Sequence, residues 1–290
     1  TNEFSGTGVA NDGWNLIANP YPSAIDWDAA SGWNKVNVNN AVYIYQADLD
    51  QYSTYIAGVG VNGGSRFIAS SQGFYVKAVS TPQLTCTEQI KSSTNPTFLK
   101  TERGATTGEV LKIKLNGNNN YTDEMALRLH NDATIDFDPN YDGIKMGSTN
   151  QAMPYIASAM SDMDYSINSL PNLDMNYDIP VRVKVGVAGN YSFDFSGAQQ
   201  LENISCLYFE DTQTGIITDL KVDSIYNCFL SDTAYAPRFY LRTRAKLPAS
   251  VVATSCNYNQ DGKISISNPN LKTQHIVVSS IDGQEISQIQ

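Results

Sequence analysis

Positive charge is scarce in this chain of 290 residues: 19 Lys and Arg stand against 29 Asp and Glu, a formal net charge of −10. That balance repels phosphate backbones and anionic lipid, so nucleic acid is not an expected partner. Histidine is nearly missing, with His130 and His275 the only two, and they lie far apart in the chain. They fall in different expected domains, so no Ser-His-Asp triad is expected, and neither Gly-x-Ser-x-Gly nor His-Glu-x-x-His occurs. The four cysteines, Cys86, Cys206, Cys228 and Cys256, lack the Cys-x-x-Cys spacing of a structural zinc site. No run approaches the roughly 18 apolar residues of a membrane-spanning helix, so membrane insertion is not expected. Thr1 opens without a basic or apolar leader, and the chain is expected to be a mature or excised piece.

What is present is the vocabulary of strands and tight turns. Hydrophobic residues make up 41% and charged residues 17%, with 17 Tyr, and Asn, Ser, Thr and Gly supply the polar balance. Runs such as Ala41 to Tyr45, Gly73 to Lys77, Val110 to Leu115, Met125 to Leu129, Val181 to Val185 and Tyr191 to Phe195 mostly alternate in polarity, as half-buried antiparallel strands do. Asn116-Gly117, Thr214-Gly215, Asp261-Gly262 and Asp282-Gly283 suit hairpin turns. Helix is expected only briefly, around Ser23 to Ala30 or Ala152 to Met160. The expected fold is all-β, with consecutive antiparallel β-sandwich domains of Ig-like or jelly-roll-like type. Alternation lapses over Ser80 to Thr97 and again over Ala245 to Thr254, which divides the chain into an aromatic-rich β-domain (1–93), a central β-sandwich (94–248) and a short Ig-like module (249–290). The last piece is too short to close a sandwich and is expected to continue beyond Gln290.

Candidate chemistry is sparse. Asp138, Asn140 and Asp142 place oxygen donors at alternate positions before Gly143, the opening of a calcium loop, but Thr149 stands where an EF-hand needs glutamate. The alternatives are an incomplete calcium site or a turn closed by Asp side chains; calcium is the one cofactor the sequence suggests. Acidic pairs occur at Asp26 and Asp28, Asp123 and Glu124, and Glu210 and Asp211, yet adjacent residues on a strand point to opposite faces. These pairs therefore read as turn and edge residues, and no catalytic residue is assigned. Trp14, Trp27 and Trp33 with Tyr21, Tyr43, Tyr45, Tyr52 and Tyr55 could fill a core or present a platform for sugar rings. For ligand binding, Trp33, Trp27 and Tyr52 are the candidates. Cys206 and Cys228 lie on two strand-like runs, Ile204 to Glu210 and Ile225 to Leu230, so they are either a disulfide in an oxidising compartment or two buried thiols. Asp223-Ser-Ile225 and Asp232-Thr-Ala234 have the form of a short O-glycosylation motif.

Several ordered motifs carry a family resemblance. Gly13-Trp-Asn-Leu-Ile-Ala-Asn-Pro-Tyr-Pro-Ser-Ala-Ile-Asp-Trp27 is followed by a Tyr-Ile-Tyr strand and by Ile68-Ala-Ser-Ser-Gln-Gly-Phe-Tyr-Val-Lys-Ala78. Later come Tyr141-Asp-Gly-Ile-Lys145, Tyr165-Ser-Ile-Asn-Ser-Leu-Pro171, Phe209-Glu-Asp-Thr-Gln-Thr-Gly215 and Arg238-Phe-Tyr-Leu241. Over about 230 residues the chain resembles the region that precedes the sorting domain in large surface proteins exported by the type IX secretion system of Bacteroidetes. Its last piece looks like the front half of a sorting domain, although Cys256-Asn-Tyr-Asn replaces the family's Asn-Pro opening. The resemblance implies a cell-surface or secreted protein exported across the outer membrane, with the type IX translocon and its shuttle protein as partners. It implies a non-enzymatic stalk or adhesion segment. The alternative is a carbohydrate-binding module of a secreted polysaccharide-degrading enzyme, with surface glycans as partners.

Overall fold

The computed structural model describes residues 12–94, 109–117, 121–160, 163–171, 177–202, 204–231 and 238–245, together with four strands beyond them. The calls on His275, Asp261-Gly262, Asp282-Gly283 and Asp232-Thr-Ala234 lie outside the described residues. The protein is all-β, and among the described residues only two short 3-10 turns, Glu88–Ile90 and Ala198–Gln200, are helical. The two segments expected to be helical instead contain strands, because Ala24-Ile25 and Ile156-Ala157 are buried within sheets.

The N-terminal region supplies β1 (Trp14–Ala18), β2 (Ala24–Asp26), β3 (Trp33–Val38), β4 (Val42–Gln46), β5 (Gln51–Ile56), β6 (Val59–Val61), β7 (Phe67–Ile68), β8 (Gly73–Cys86) and β9 (Lys91–Ser92). The first sheet has the order β1-β8-β4-β5-β6, with β3 also paired to β8, and β7-β2-β9 forms a small sheet beside it. Polarity was expected to lapse from Ser80, but β8 runs on through Cys86. Its second half pairs with β3 from Trp33 opposite Cys86 to Val36 opposite Gln83, and Leu84 and Cys86 pack against the core. Alternation therefore persists there, with small polar residues on the outer face.

The second sheet uses β10 (Glu109–Asn116), β11 (Thr122–Leu129), β12 (Gly143–Ile144), β13 (Tyr155–Met160), β14 (Met163–Leu170), β15 (Tyr177–Lys184), β16 (Gly189–Asp194), β17 (Ile204–Asp211), β18 (Ile216–Asp219), β19 (Ile225–Leu230) and β20 (Phe239–Ala245). Its order is β18-β17-β20-β15-β13-β14-β11-β10-β16-β19, with β12 paired to β14, a nearly closed, barrel-like arrangement. The interior follows from the period of two: on β15, Tyr177, Ile179 and Val181 are buried, while Asp178 is exposed and Pro180 half-buried on the other face. Phe193, Phe195, Phe209 and Phe239 meet inside with ring centroids 4.8 to 5.4 Å apart. Each such buried side chain contributes on the order of 2 kcal/mol by leaving water.

Among the described residues, pairing departs from the antiparallel expectation at one place, where β11 and β14 run parallel with Ala126 opposite Ile167. Parallel neighbours need a crossover rather than a hairpin. Here the crossover contains the loop 138–142, β12 and β13, and it carries that loop to the first sheet.

The chain divides into two compact units, Thr1–Ala245 and Lys246–Gln290. Both sheets described above belong to the first unit and share a core in which Tyr43, Ile56, Val59 and Val61 pack with Ala126 and Ile167. The pieces 1–93 and 94–248 thus meet in one apolar layer. The second unit contains β21 (Ser255–Tyr258) paired with β22 (Ile264–Ser267), and β23 (Ile276–Ser279) paired with β24 (Glu285–Ile289), both antiparallel.

Candidate functional site

The residues singled out as chemistry are held by partners inside the protein. Asp26 accepts a two-pronged bond from Arg66 at 2.7 Å on each oxygen, and Asp28 accepts the Tyr55 hydroxyl. Glu210 accepts Arg242 at 2.6 Å. Asp211 has no exposed side-chain surface and accepts Arg238 at 2.7 and 2.5 Å and the Tyr226 hydroxyl at 2.7 Å. Burial alone would raise its pKa, but the bonds from Arg238 and Tyr226 overcome burial and hold it down at about 2.

The calcium-like loop is a clasp. Asn140 donates its backbone N–H to Asp138, while the two oxygens of Asp142 accept the N–H groups of Asp138 and Ser169, each at 2.7 Å. Burial pushes the Asp142 carboxyl up to about 7 against these two bonds. The outer side of the loop faces β3 and β4: Asn39 donates to the carbonyls of Pro139 and Asp142 at 3.0 Å, and the Asn40 N–H donates to Pro139 at 2.7 Å. The Asp138 and Asp142 side chains thus close the loop and tie it to β14, while the backbone carbonyls of Pro139 and Asp142 join it to the first sheet. Among the described residues, no group of three or more His, Cys, Asp or Glu side chains converges.

A second clasp is centred on Asp123, which is 2% exposed. Its Oδ1 accepts Gln51 at 3.0 Å, Asn62 at 2.8 Å and Lys145 at 2.6 Å, and its Oδ2 accepts the Ile156 N–H at 2.8 Å. Glu124 accepts the Asn62 N–H at 2.8 Å and donates its own to the Asn62 side chain. Lys145 stands in the sequence only as the end of the Tyr141-Asp-Gly-Ile-Lys145 motif, and its partner becomes visible only when the crossover brings it to β11.

The cysteines proposed as a disulfide are not neighbours in the sheet. Cys206 on β17 pairs with Arg244 of β20, and Cys228 on β19 pairs with Tyr191 of β16. The Cys228 thiol is unpaired, and burial raises it to about 11, opposed by Arg238 and reinforced by Asp211.

Among the aromatic candidates, Trp27 is a core residue with no exposed surface. Its ring lies 4.8 Å from Trp33 and 5.9 Å from Phe74, and the Lys35 Nζ sits 3.8 Å above it. Burial lowers that lysine to about 8 against the pull of Asp28 and Asp26. Trp33, half-buried, packs on the same core and donates its indole N–H to the Asp26 carbonyl at 2.8 Å. Tyr52 is different. With Tyr45 and Tyr75 it forms a ladder across β5, β4 and β8, with centroids 5.2 and 5.9 Å apart; Tyr45 is 41% exposed and Leu16, opposite Tyr75, is 63% exposed. The sequence signal for Tyr75 was its position two residues from Lys77 on the polar face of β8.

The motifs quoted above meet in pairs. Asn19, from the Asn-Pro-Tyr-Pro turn, donates to the carbonyls of Ile68 and Ala69 in the second motif, and Asp211 meets Arg238 from the last. No curated protein matches the chain, and neither does any solved structure. A family model described as Domain of unknown function (DUF8693) matches residues 2–242, and the chain belongs to that family.

Proposed function

We propose that this chain is a non-enzymatic stalk or adhesion segment of a cell-surface or secreted protein, carried out of the cell as cargo of the type IX secretion system. The observation that supports this reading most is the use made of the motif residues: Asn19, Asp123, Lys145, Asp142, Asp211 and Arg238 all bond within the protein and join one strand layer or loop to another. Motifs used in this way maintain a shape rather than carry out a reaction. A body of two strand layers with a shared core suits a spacer, which must keep its shape between a cargo domain and an export signal.

Labelling of intact cells of the source organism with an antibody raised against residues 12–245 tests the reading. Surface labelling that disappears when the type IX translocon is deleted is the expected result. Retention of the protein in the cytoplasm of wild-type cells would contradict it. Carbohydrate binding is the second reading, and the Tyr45–Tyr52–Tyr75 ladder, with Tyr45 exposed and its neighbours half-buried, favours it.

A further inference from the structure

The tyrosine ladder continues into a cleft. The Tyr45 hydroxyl donates to Asp50, and the Thr149 hydroxyl donates to both oxygens of the same carboxylate at 3.0 and 2.9 Å. Thr149 stands between Ser148 and Asn150, which open a cleft of about 520 Å³ lined also by Gln151, Tyr155, Lys184 and Ser231. Asp50 therefore links the exposed Tyr45 ring on one sheet to a polar cleft on the other.

We propose that the ladder and the cleft together form a binding surface for a neutral oligosaccharide. Tyrosine rings offer an apolar face for the C–H side of a sugar and a hydroxyl at the edge; Tyr45 is exposed, and the half-buried Tyr52 and Tyr75 continue the row behind it. Two residues before Tyr75 on the same face of β8, Gly73 leaves open floor beside Leu16; a side chain there would meet Leu16 at 3.6 Å. The cleft adds amide and hydroxyl groups from Asn150, Gln151, Ser148 and Ser231, and its volume falls within the range of roughly 300 to 1,000 Å³ that ligand clefts occupy.

Other ligand classes fit less well. A polyanion meets a chain of net charge −10 and one cation, Lys184, among the described lining residues. An extended peptide adds to an open strand edge, whereas β4 and β8 lie inside the sheet order. This inference rests on the second, carbohydrate-binding reading and is independent of the stalk reading; a spacer remains a spacer if no sugar binds.

Calorimetric titration of the full chain with a panel of linear neutral oligosaccharides of about four to six units, covering β-glucans, mannans, xylans and chitin fragments, tests it. One member is expected to bind, with Tyr45→Ala weakening it about tenfold or more and Tyr45→Phe leaving it nearly unchanged. Gln151→Ala, in the cleft, is expected to weaken the same ligand, and Ile217→Ala on β18 to have no effect. Unchanged circular dichroism and melting temperature in each variant separate loss of binding from loss of fold. The proposal is overturned if no panel member binds at up to about 5 mM, or if binding survives Tyr45→Ala in the folded protein.

Discussion

Lys145 and Asp123 form an ion pair 2.6 Å long in which each side chain is 3% exposed. The carboxylate belongs to β11 and the lysine to the crossover, and Gln51 and Asn62 from the first sheet bond to the same oxygen. One buried charge thus gathers three separate segments. Removing one partner leaves the other charged and out of water, which costs about 3 to 5 kcal/mol. Lys145→Met is expected to destabilise the protein by that amount in urea unfolding, and Lys145→Met combined with Asp123→Leu to recover part of the loss. Equal destabilisation by the single and double variants would show that the pair is not coupled in this way.

Two carboxylates give opposite dependences on pH. Asp142 titrates at about 7 in the folded protein, above the usual ~3.9 of an unfolded aspartate. The folded state therefore holds an extra proton between those values, and this contribution is full below about pH 4 and lost as pH rises toward 7, with a slope of at most ~1.4 kcal/mol per pH unit. Asp211, held at about 2, contributes stability that is full above about pH 4 and lost as pH falls toward 2. In urea unfolding across pH, Asp142→Asn is expected to flatten the limb between 4 and 7, and Asp211→Asn the limb between 2 and 4. An unchanged limb in either variant would refute its assignment.

The thiols offer a third check. With Cys228 raised to about 11, little thiolate exists at neutral pH, and alkylation of the native protein is expected to be slow and to become rapid in denaturant. Peptide mapping without reductant is expected to find no Cys206–Cys228 link. Recovery of that linked peptide from folded protein would contradict a free Cys228 thiol.

Which features were legible in the sequence follows from the range of the interactions. Alternation in Val110 to Leu115 or Val181 to Val185 is local, so β10 and β15 could be read directly. The 14-residue β8 was cut short because its second half is polar on both neighbours of Pro82, and its partner β3 lies about fifty residues away. Asp138 to Asp142 suggested a cation loop because the spacing of its oxygens is local, whereas the groups that donate to those oxygens, the N–H of Ser169 and the Asn39 side-chain amide, are remote in sequence. Trp27 and Trp33 could not be sorted into core and surface from flanking residues alone; the register of β3 against β8 decides it. Tyr45 and Tyr52 were within reach because both lie on short alternating strands.

The central claim is that the two strand layers of Thr1–Ala245 form one cooperative body, and the protein carries its own reporters for each. Trp14, Trp27 and Trp33 all lie in the first layer and Cys228 lies in the second. Urea unfolding of the full chain, with Cys86, Cys206 and Cys256 replaced by serine, can be followed in parallel by tryptophan fluorescence and by labelling of Cys228. The account predicts coincident transitions. Separate midpoints, with tryptophan exposed while Cys228 remains protected, would contradict it.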